Sequence, residues 1–132
     1  MRAFILTTAL ASLAAASQYG AWDVKISNSW AANGYQSRDV SATYTNGDIS
    51  VTSSCKYEYI PQDHTMTDTC TEGFSYSGGQ NDSDTIELTQ TVEIEGTVVT
   101  VHGESAPLDF KFSPAGRSSS AEAHVEVSSA IA

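Results

Sequence analysis

Basic residues are scarce in this sequence. The chain of 132 residues holds six Lys and Arg residues against sixteen Asp and Glu residues, for a formal net charge of −10. Proteins that contact phosphate groups need clustered Lys and Arg side chains, so the shortage disfavours nucleic acids and anionic membranes as partners. The acidic balance instead suits a protein that stays dissolved in an extracellular fluid.

The sequence also lacks the common motifs of enzyme chemistry. It has no G-x-S-x-G motif, no spacing typical of zinc or calcium ligands, and no glycine-rich phosphate loop. Its three histidines stand on separate segments, at His64, His102 and His124. We therefore predict a protein that is not an enzyme and that holds neither a metal nor a cofactor. The alternative is a metal ion held by Asp63, His64 and Asp68.

Cysteine is limited to two residues, Cys55 and Cys70. An even number of cysteines in an exported chain is typical of disulfide bonding, and two cysteines allow only one intramolecular pairing. We predict this disulfide, which stabilises the fold by roughly 3 kcal/mol through the loop that it closes. The alternative, a metal-binding or catalytic thiol, requires that the exported pair stay reduced.

Only one long apolar run is present, at residues 3–16 behind the positive charge of Arg2. Ala14 and Ala16 supply the small residues that signal cleavage requires, so residues 1–16 are predicted to be a secretory signal peptide cleaved near Ala16/Ser17. The alternative is an N-terminal anchor helix, for which the run is short. We therefore expect a secreted, extracellular protein in which residues 17–132 form a single domain without a membrane span.

The rest of the sequence alternates between apolar and polar residues in short segments separated by turns. Trp22, Val24 and Ile26 alternate with polar residues, which predicts a half-buried strand. Asn46-Gly47 predicts a two-residue type I′ hairpin, because both residues accept a positive φ. No segment indicates a substantial helix. We expect an all-β fold, namely a single compact antiparallel β-barrel or sandwich-like barrel of roughly 8–11 short strands.

The segment between the two cysteines is the predicted recognition surface. Tyr57, Tyr59, Pro61, Asp63 and His64 run along a strand and around the turn that the proline introduces. Tyrosine is amphipathic and common at interfaces. The alternative for the two tyrosines is a place in the core, since both alternate in phase with the first cysteine.

An N-glycosylation sequon lies further along the chain, at Asn81-Asp82-Ser83. The surrounding residues 77–84 are polar or glycine, which predicts an exposed turn or loop. Asn81 is therefore a candidate for glycan attachment in an exported protein.

These features together resemble one family of secreted fungal proteins, the major-allergen family of Alternaria, which also includes elicitors of the hypersensitive response in plants. The resemblance covers residues 22–128. It rests on short segments in the same order: Val24-Lys25-Ile26-Ser27, the hairpin of residues 41–48, the Cys55 to Cys70 interval with Asp63-His64, residues 88–92, and residues 123–127. It implies a helix-free β-barrel that acts outside the fungal cell.

Two departures from the family pattern concern cysteine. Family members carry an N-terminal cysteine that links two subunits, but residues 17–22 contain none, so we expect a monomer or a non-covalent dimer. Family members also carry a second disulfide late in the chain, whereas residues 101–120 contain no cysteine. A ligand pocket built between linked subunits therefore does not carry over to this chain.

The resemblance implies a secreted effector or elicitor-like protein that binds a host plant protein and triggers or modulates immune responses. One alternative is an extracellular carrier that encloses a small apolar or flavonoid-like ligand, as β-barrels can. A further alternative is an inhibitor of a host or competitor extracellular enzyme, which would form a stoichiometric complex with its target.

Overall fold

The computed structural model describes residues 19–132, so the predicted signal peptide at residues 1–16 lies outside the described part. In this part the chain forms ten strands and no helix, hence no helix long and apolar enough to cross a membrane. The strands are β1 Ala21–Trp30, β2 Gln36–Asn46, β3 Ile49–Ile60, β4 Thr65–Cys70, β5 Phe74–Gly78, β6 Ile86–Ile94, β7 Thr97–Glu104, β8 Lys111–Phe112, β9 Ser118–Glu126 and β10 Ser129–Ile131.

The ten strands form two antiparallel sheets that pack together. Sheet A has six strands in the order β4-β3-β2-β1-β9-β8, and sheet B has four in the order β10-β7-β6-β5. The sheets do not close into a barrel, so the molecule is sandwich-like. The prediction of an all-β fold is confirmed, and within it the sandwich-like alternative describes the architecture.

The core lies between the two sheets because each strand buries every second side chain. In β1 these buried residues are Trp22, Val24 and Ile26, as the alternation predicts. Sheet B faces them with Ile86 and Leu88 of β6. Polar residues between these positions point away from the core and face water.

The hairpin between β2 and β3 is confirmed, but its predicted turn is wrong by one residue. Asn46 pairs with Ile49, so the two loop residues are Gly47 and Asp48. Gly47 takes a positive φ of 59° but Asp48 does not take a positive φ, so the turn is not the predicted type I′. Asn46 instead stays extended as the last residue of its strand.

Two segments differ from the simple alternation. Residues 28–30 continue β1 beyond the alternating segment, because Ser29 and Trp30 pair with Ser37 and Gln36 of β2. Residues 108–110, by contrast, bury Leu108 and Phe110 without belonging to a strand. Pairing with a neighbouring chain segment, and not residue type, therefore decides where these strands end.

The predicted disulfide is present between Cys55 of β3 and Cys70 of β4. The two residues are directly paired across the strands, and their Cα atoms lie 3.9 Å apart. Residues 56–69 between them form a hairpin that we call the β3–β4 arm. No other cysteine remains in the chain, so none is left to link a second subunit.

Candidate functional site

A row of side chains crosses the inner face of sheet A next to the apolar core. Each strand of the sheet contributes one residue, in order from β4 to β8: Asp68, Tyr57, Arg38, Asn28, Ser119 and Phe112. Paired residues on neighbouring strands point to the same face, so these six side chains lie side by side. The next row inward is apolar and contains Val40 and Ile26, both fully buried.

This row forms the floor of an open groove of about 770 Å³. The loop between β5 and β6 supplies part of the opposite wall through Gln80, Asn81 and Asp82. Half of the aromatic residues in the chain line it, namely Trp30, Tyr35, Tyr57, Tyr76, Phe110 and Phe112. Arg38 is the one basic residue of the lining, and we call this site the Arg38 groove.

Arg38 lies at the bottom of the groove and is only 7% exposed. Its Nε donates a hydrogen bond to Oδ1 of Asn28 at 2.9 Å, and its Nη2 donates to the backbone oxygen of Gln80 at 3.3 Å. Nη1 is buried without a hydrogen-bond partner, the one such side-chain atom among residues 19–132. No carboxylate of those residues forms an ion pair with Arg38. The groove therefore contains a buried positive charge that no carboxylate of residues 19–132 approaches within ion-pair distance.

The position of Arg38 follows from the alternation of β2. Arg38, Val40, Ala42 and Tyr44 are the buried residues of this strand, and each is two positions from the next. The sequence prediction missed Arg38, because charged residues usually face water. The available signal was its phase, which places an arginine on the same face as three core residues.

The aromatic lining is exposed on one side of the groove. The rings of Trp30 and Phe112 meet edge to face with centroids 6.4 Å apart, and Phe112 remains 61% exposed. The backbone N–H of Trp30 donates to the oxygen of Arg117 at 3.0 Å, which holds the end of β1 against β9. These rings thus form a fixed apolar surface that solvent reaches.

Tyr35, in the loop between β1 and β2, is hydrogen-bonded to the β3–β4 arm. Its hydroxyl donates to Oε2 of Glu58 at 2.7 Å. This hydrogen bond to a carboxylate is the main reason that the pKa of Tyr35 lies above its ordinary value. Pro61 at the tip of the arm lies against Gly34, so the arm and the β1–β2 loop meet at two points.

The wall loop is fixed by carboxylates that accept backbone hydrogen bonds. Oδ2 of Asp84 accepts from the N–H groups of Gln80 at 3.1 Å and Asn81 at 2.8 Å, as Asp does in many turns. Oδ1 of Asp82 accepts from the N–H of Phe110 at 3.0 Å. These hydrogen bonds place the loop beside Arg38, where the Gln80 oxygen makes the long 3.3 Å contact with Nη2.

The structure divides the predicted recognition residues into two groups. Tyr57 lines the Arg38 groove, and Tyr59 is half-buried one step further along the same face of β3. Pro61, Asp63 and His64 lie in the turn at the tip of the arm, where the N–H of His64 donates to the oxygen of Pro61 at 3.2 Å. Only Tyr57 of the five therefore belongs to the groove. Both tyrosines are half-buried, and neither is part of the apolar core that the alternative assigned them to.

Asn81 of the predicted sequon is exposed in the wall loop and belongs to the lining of the groove. Its backbone N–H is bonded to Asp84, and the backbone N–H of Ser83 donates to the Leu108 oxygen at 2.9 Å. A glycan attached to Asn81 would therefore stand at the mouth of the groove.

Two further observations concern the metal-binding residue types and the histidine on the outer face of sheet A. No group of three or more His, Cys, Asp or Glu side chains within residues 19–132 is arranged to hold a metal ion. His124 lies on the outer face of sheet A, with Nδ1 at 2.9 Å from Asp23 and Nε2 at 2.6 Å from Glu126. The hydrogen bond to Asp23, followed by that to Glu126, raises the pKa of His124 above its ordinary value.

Comparison with protein-family models, with curated proteins and with solved structures found no match to this chain. The resemblance to the Alternaria major-allergen family therefore stays a prediction from the residues.

Proposed function

We propose that this chain is an extracellular binding protein, not an enzyme, and that its Arg38 groove takes up a small ligand with a negative charge. The observation that carries the proposal is the buried guanidinium of Arg38, which has an unfilled hydrogen-bonding position and no ion pair with the carboxylates of residues 19–132. This function corresponds to the carrier alternative, with a charged group added to the apolar ligand expected from the sequence.

The energetics of burial support a ligand in the groove. A buried charge without a partner is costly, and buried charges in proteins are usually paired. A ligand anion would supply the missing partner. The groove also has the size of small-molecule sites, which are concave and contain polar groups that orient the ligand.

Native mass spectrometry of the protein secreted from a fungal host tests this proposal. We expect an additional mass from a bound small molecule in the wild type, and its loss in Arg38→Met. The control Arg117→Met removes the charge of an exposed arginine outside the groove lining and should keep the ligand. The proposal would be contradicted by a mass that corresponds to the unliganded protein, together with no measurable binding of organic anions in solution.

A second candidate function is recognition of a host extracellular protein by the β3–β4 arm, in line with the expected effector role. The observation that favours it is β4, an edge strand of sheet A whose six residues are all exposed, with Met66 at 64%. An exposed edge can add an extended segment of a partner as a further strand. The partner we propose is a plant apoplastic protein that offers such a segment.

Leaf infiltration with wild type and Met66→Lys tests this second function. Wild-type protein should cause defence responses that the variant causes only at higher doses, because a charge on the edge strand discourages strand addition. Val98→Lys, which changes a similarly exposed side chain of sheet B, is the control. Inactivity of all three folded proteins across several hosts would count against the effector role.

A further inference from the structure

We propose that the ligand of the Arg38 groove is a monocarboxylate with a planar aromatic body. The inference rests on the proposed function and names the chemical class of the ligand. Three features carry it: the free edge of the guanidinium, the two carboxylates in the groove lining, and the exposed aromatic rings.

The guanidinium of Arg38 has one edge left for a ligand. Asn28 occupies Nε at 2.9 Å, whereas Nη1 has no partner and Nη2 has only the long 3.3 Å contact with the Gln80 oxygen. A carboxylate accepts from two guanidinium nitrogens at once, and such paired bonds are short and strong. In the proposed complex the Gln80 oxygen moves away from Nη2, which opens the buried Nη1, and the two carboxylate oxygens accept from Nη1 and Nη2. The buried cation gains both a counter-charge and its missing hydrogen bond.

The groove lining limits the ligand to one negative charge. Asp68 and Asp82 both line the groove, and the chain as a whole carries a formal charge of −10. A phosphate group or a dicarboxylate would bring a second negative charge near these carboxylates, and like charges repel. A single carboxylate is neutralised by Arg38 and leaves the rest of the ligand uncharged.

The exposed rings indicate a flat apolar body. Phe112 lies three strands from Arg38 across sheet A, or about 14 Å at the usual strand spacing. Trp30 meets Phe112 edge to face at 6.4 Å, and the 61% exposure of Phe112 leaves ring surface free. Aromatic rings pair favourably with other rings in offset or edge-to-face arrangements. This span suits an aromatic ring joined to its carboxylate by a short chain.

Isothermal titration calorimetry with three matched probes tests the ligand class. The probes are trans-cinnamate, its neutral amide trans-cinnamamide, and 3-cyclohexylpropanoate, which keeps the carboxylate but has no flat ring. Because hydrogen bonds between charged groups are the stronger ones, cinnamate should bind at least about tenfold more tightly than cinnamamide. It should bind about threefold more tightly than 3-cyclohexylpropanoate, because only a flat ring stacks on the groove aromatics.

Two variants attach these preferences to the groove. Arg38→Met should abolish the preference for cinnamate over cinnamamide, and Phe112→Leu should abolish the preference over 3-cyclohexylpropanoate. Phe112 is mostly exposed, so its variant keeps the test available even if Arg38→Met fails to fold. The control Val98→Ala changes a side chain of equal 61% exposure outside the groove and should alter neither preference.

The outcomes separate this inference from the proposed function. Equal binding of both carboxylates, unaffected by Phe112→Leu, would overturn the aromatic body and leave an anion site. Tighter binding of inorganic phosphate or of a dicarboxylate than of cinnamate would overturn the single charge. Absence of binding by all three probes would overturn the ligand class. The proposed function then falls only if native mass spectrometry also finds no Arg38-dependent ligand.

Discussion

The Trp22 core and the Arg38 groove lie on the same inner face of sheet A, but they differ in whether their buried polar groups have hydrogen-bond partners. In the core, Nε1 of Trp22 donates to Oε1 of Gln90 at 2.8 Å, and Nε2 of Gln90 donates to Oγ of Ser53 at 3.0 Å. In the groove, Nη1 of Arg38 has no partner. Buried polar groups are normally satisfied, so the exception marks the place where the fold has given up stability.

Sheet A therefore contributes one part of its inner face to a closed core and another part to an open groove. The hydrogen bonds of Gln90 connect Trp22 and Ser53 of sheet A to sheet B, and all three side chains are buried. The next strand positions along sheet A meet a loop instead of a strand, and a groove results. A structure that tolerates an unsatisfied cation in such a groove is consistent with binding, and substitutions in the two regions can test the difference between them.

The largest expected effect is on the core. Trp22 is fully buried and contacts the Tyr44 ring at a centroid distance of 5.8 Å, so Trp22→Ala should lower the free energy of unfolding by about 3–5 kcal/mol. Trp30→Ala in the groove is the matched variant and should cost only about 1 kcal/mol, because Trp30 is half-buried. Urea unfolding of both variants measures the difference. If both variants lost the same free energy of unfolding, Trp30 would stabilise the fold as much as a core residue does.

The disulfide gives the next largest effect. Cys55→Ser and Cys70→Ser should each lower the free energy of unfolding by about 3 kcal/mol, because either change removes the same cross-link. Thermal unfolding measured with and without reductant checks this, since reductant should lower the wild type to the level of the variants. Clearly unequal losses would show that one position matters for more than the bond.

A pair of smaller changes sets the core against the groove most directly. Gln90→Met should cost about 1–3 kcal/mol, because it leaves Nε1 of Trp22 buried without an acceptor. Arg38→Met removes an unpaired buried cation, so its stability should stay within about 0.5 kcal/mol of the wild type or exceed it. Denaturant midpoints at neutral pH decide between them. A loss in Arg38→Met as large as in Gln90→Met would mean that the guanidinium is structural.

The smallest expected effect concerns His124, on the outer face and outside both regions. Its hydrogen bonds with Asp23 and Glu126 raise the folded-state pKa of His124. The stability that these bonds add is therefore fully present below the unfolded pKa of about 6.5, and it is lost as pH rises through the folded pKa. Because the His124 side chain is 58% exposed, its contribution to the free energy of unfolding should be about 0.3 kcal/mol, and smaller still in high salt. Unfolding of wild type and His124→Gln at acidic and alkaline pH measures it.

Much of the fold follows from residue alternation, because the period of two is a property of the extended backbone. Alternation predicted the buried face of β1, and the cysteines predicted the one cross-link. The groove did not follow in the same way. Its floor combines single residues from six strands, and only the strand register brings Phe112 beside Ser119 and Arg38 beside Tyr57. Residue type also misled, since an arginine is normally placed outside.

The row of six side chains has a consequence for folding as well as for binding. A shift of β2 by one residue against its neighbours would turn Arg38 to the outer face and bring Asp39 into the floor. Such a misregistered molecule would have a negative charge where the groove now has a positive one. An anionic ligand would then stabilise only correctly paired sheets, since a ligand that binds one state selectively increases its population. Uptake of the ligand would thus favour molecules with the correct strand register over misregistered ones.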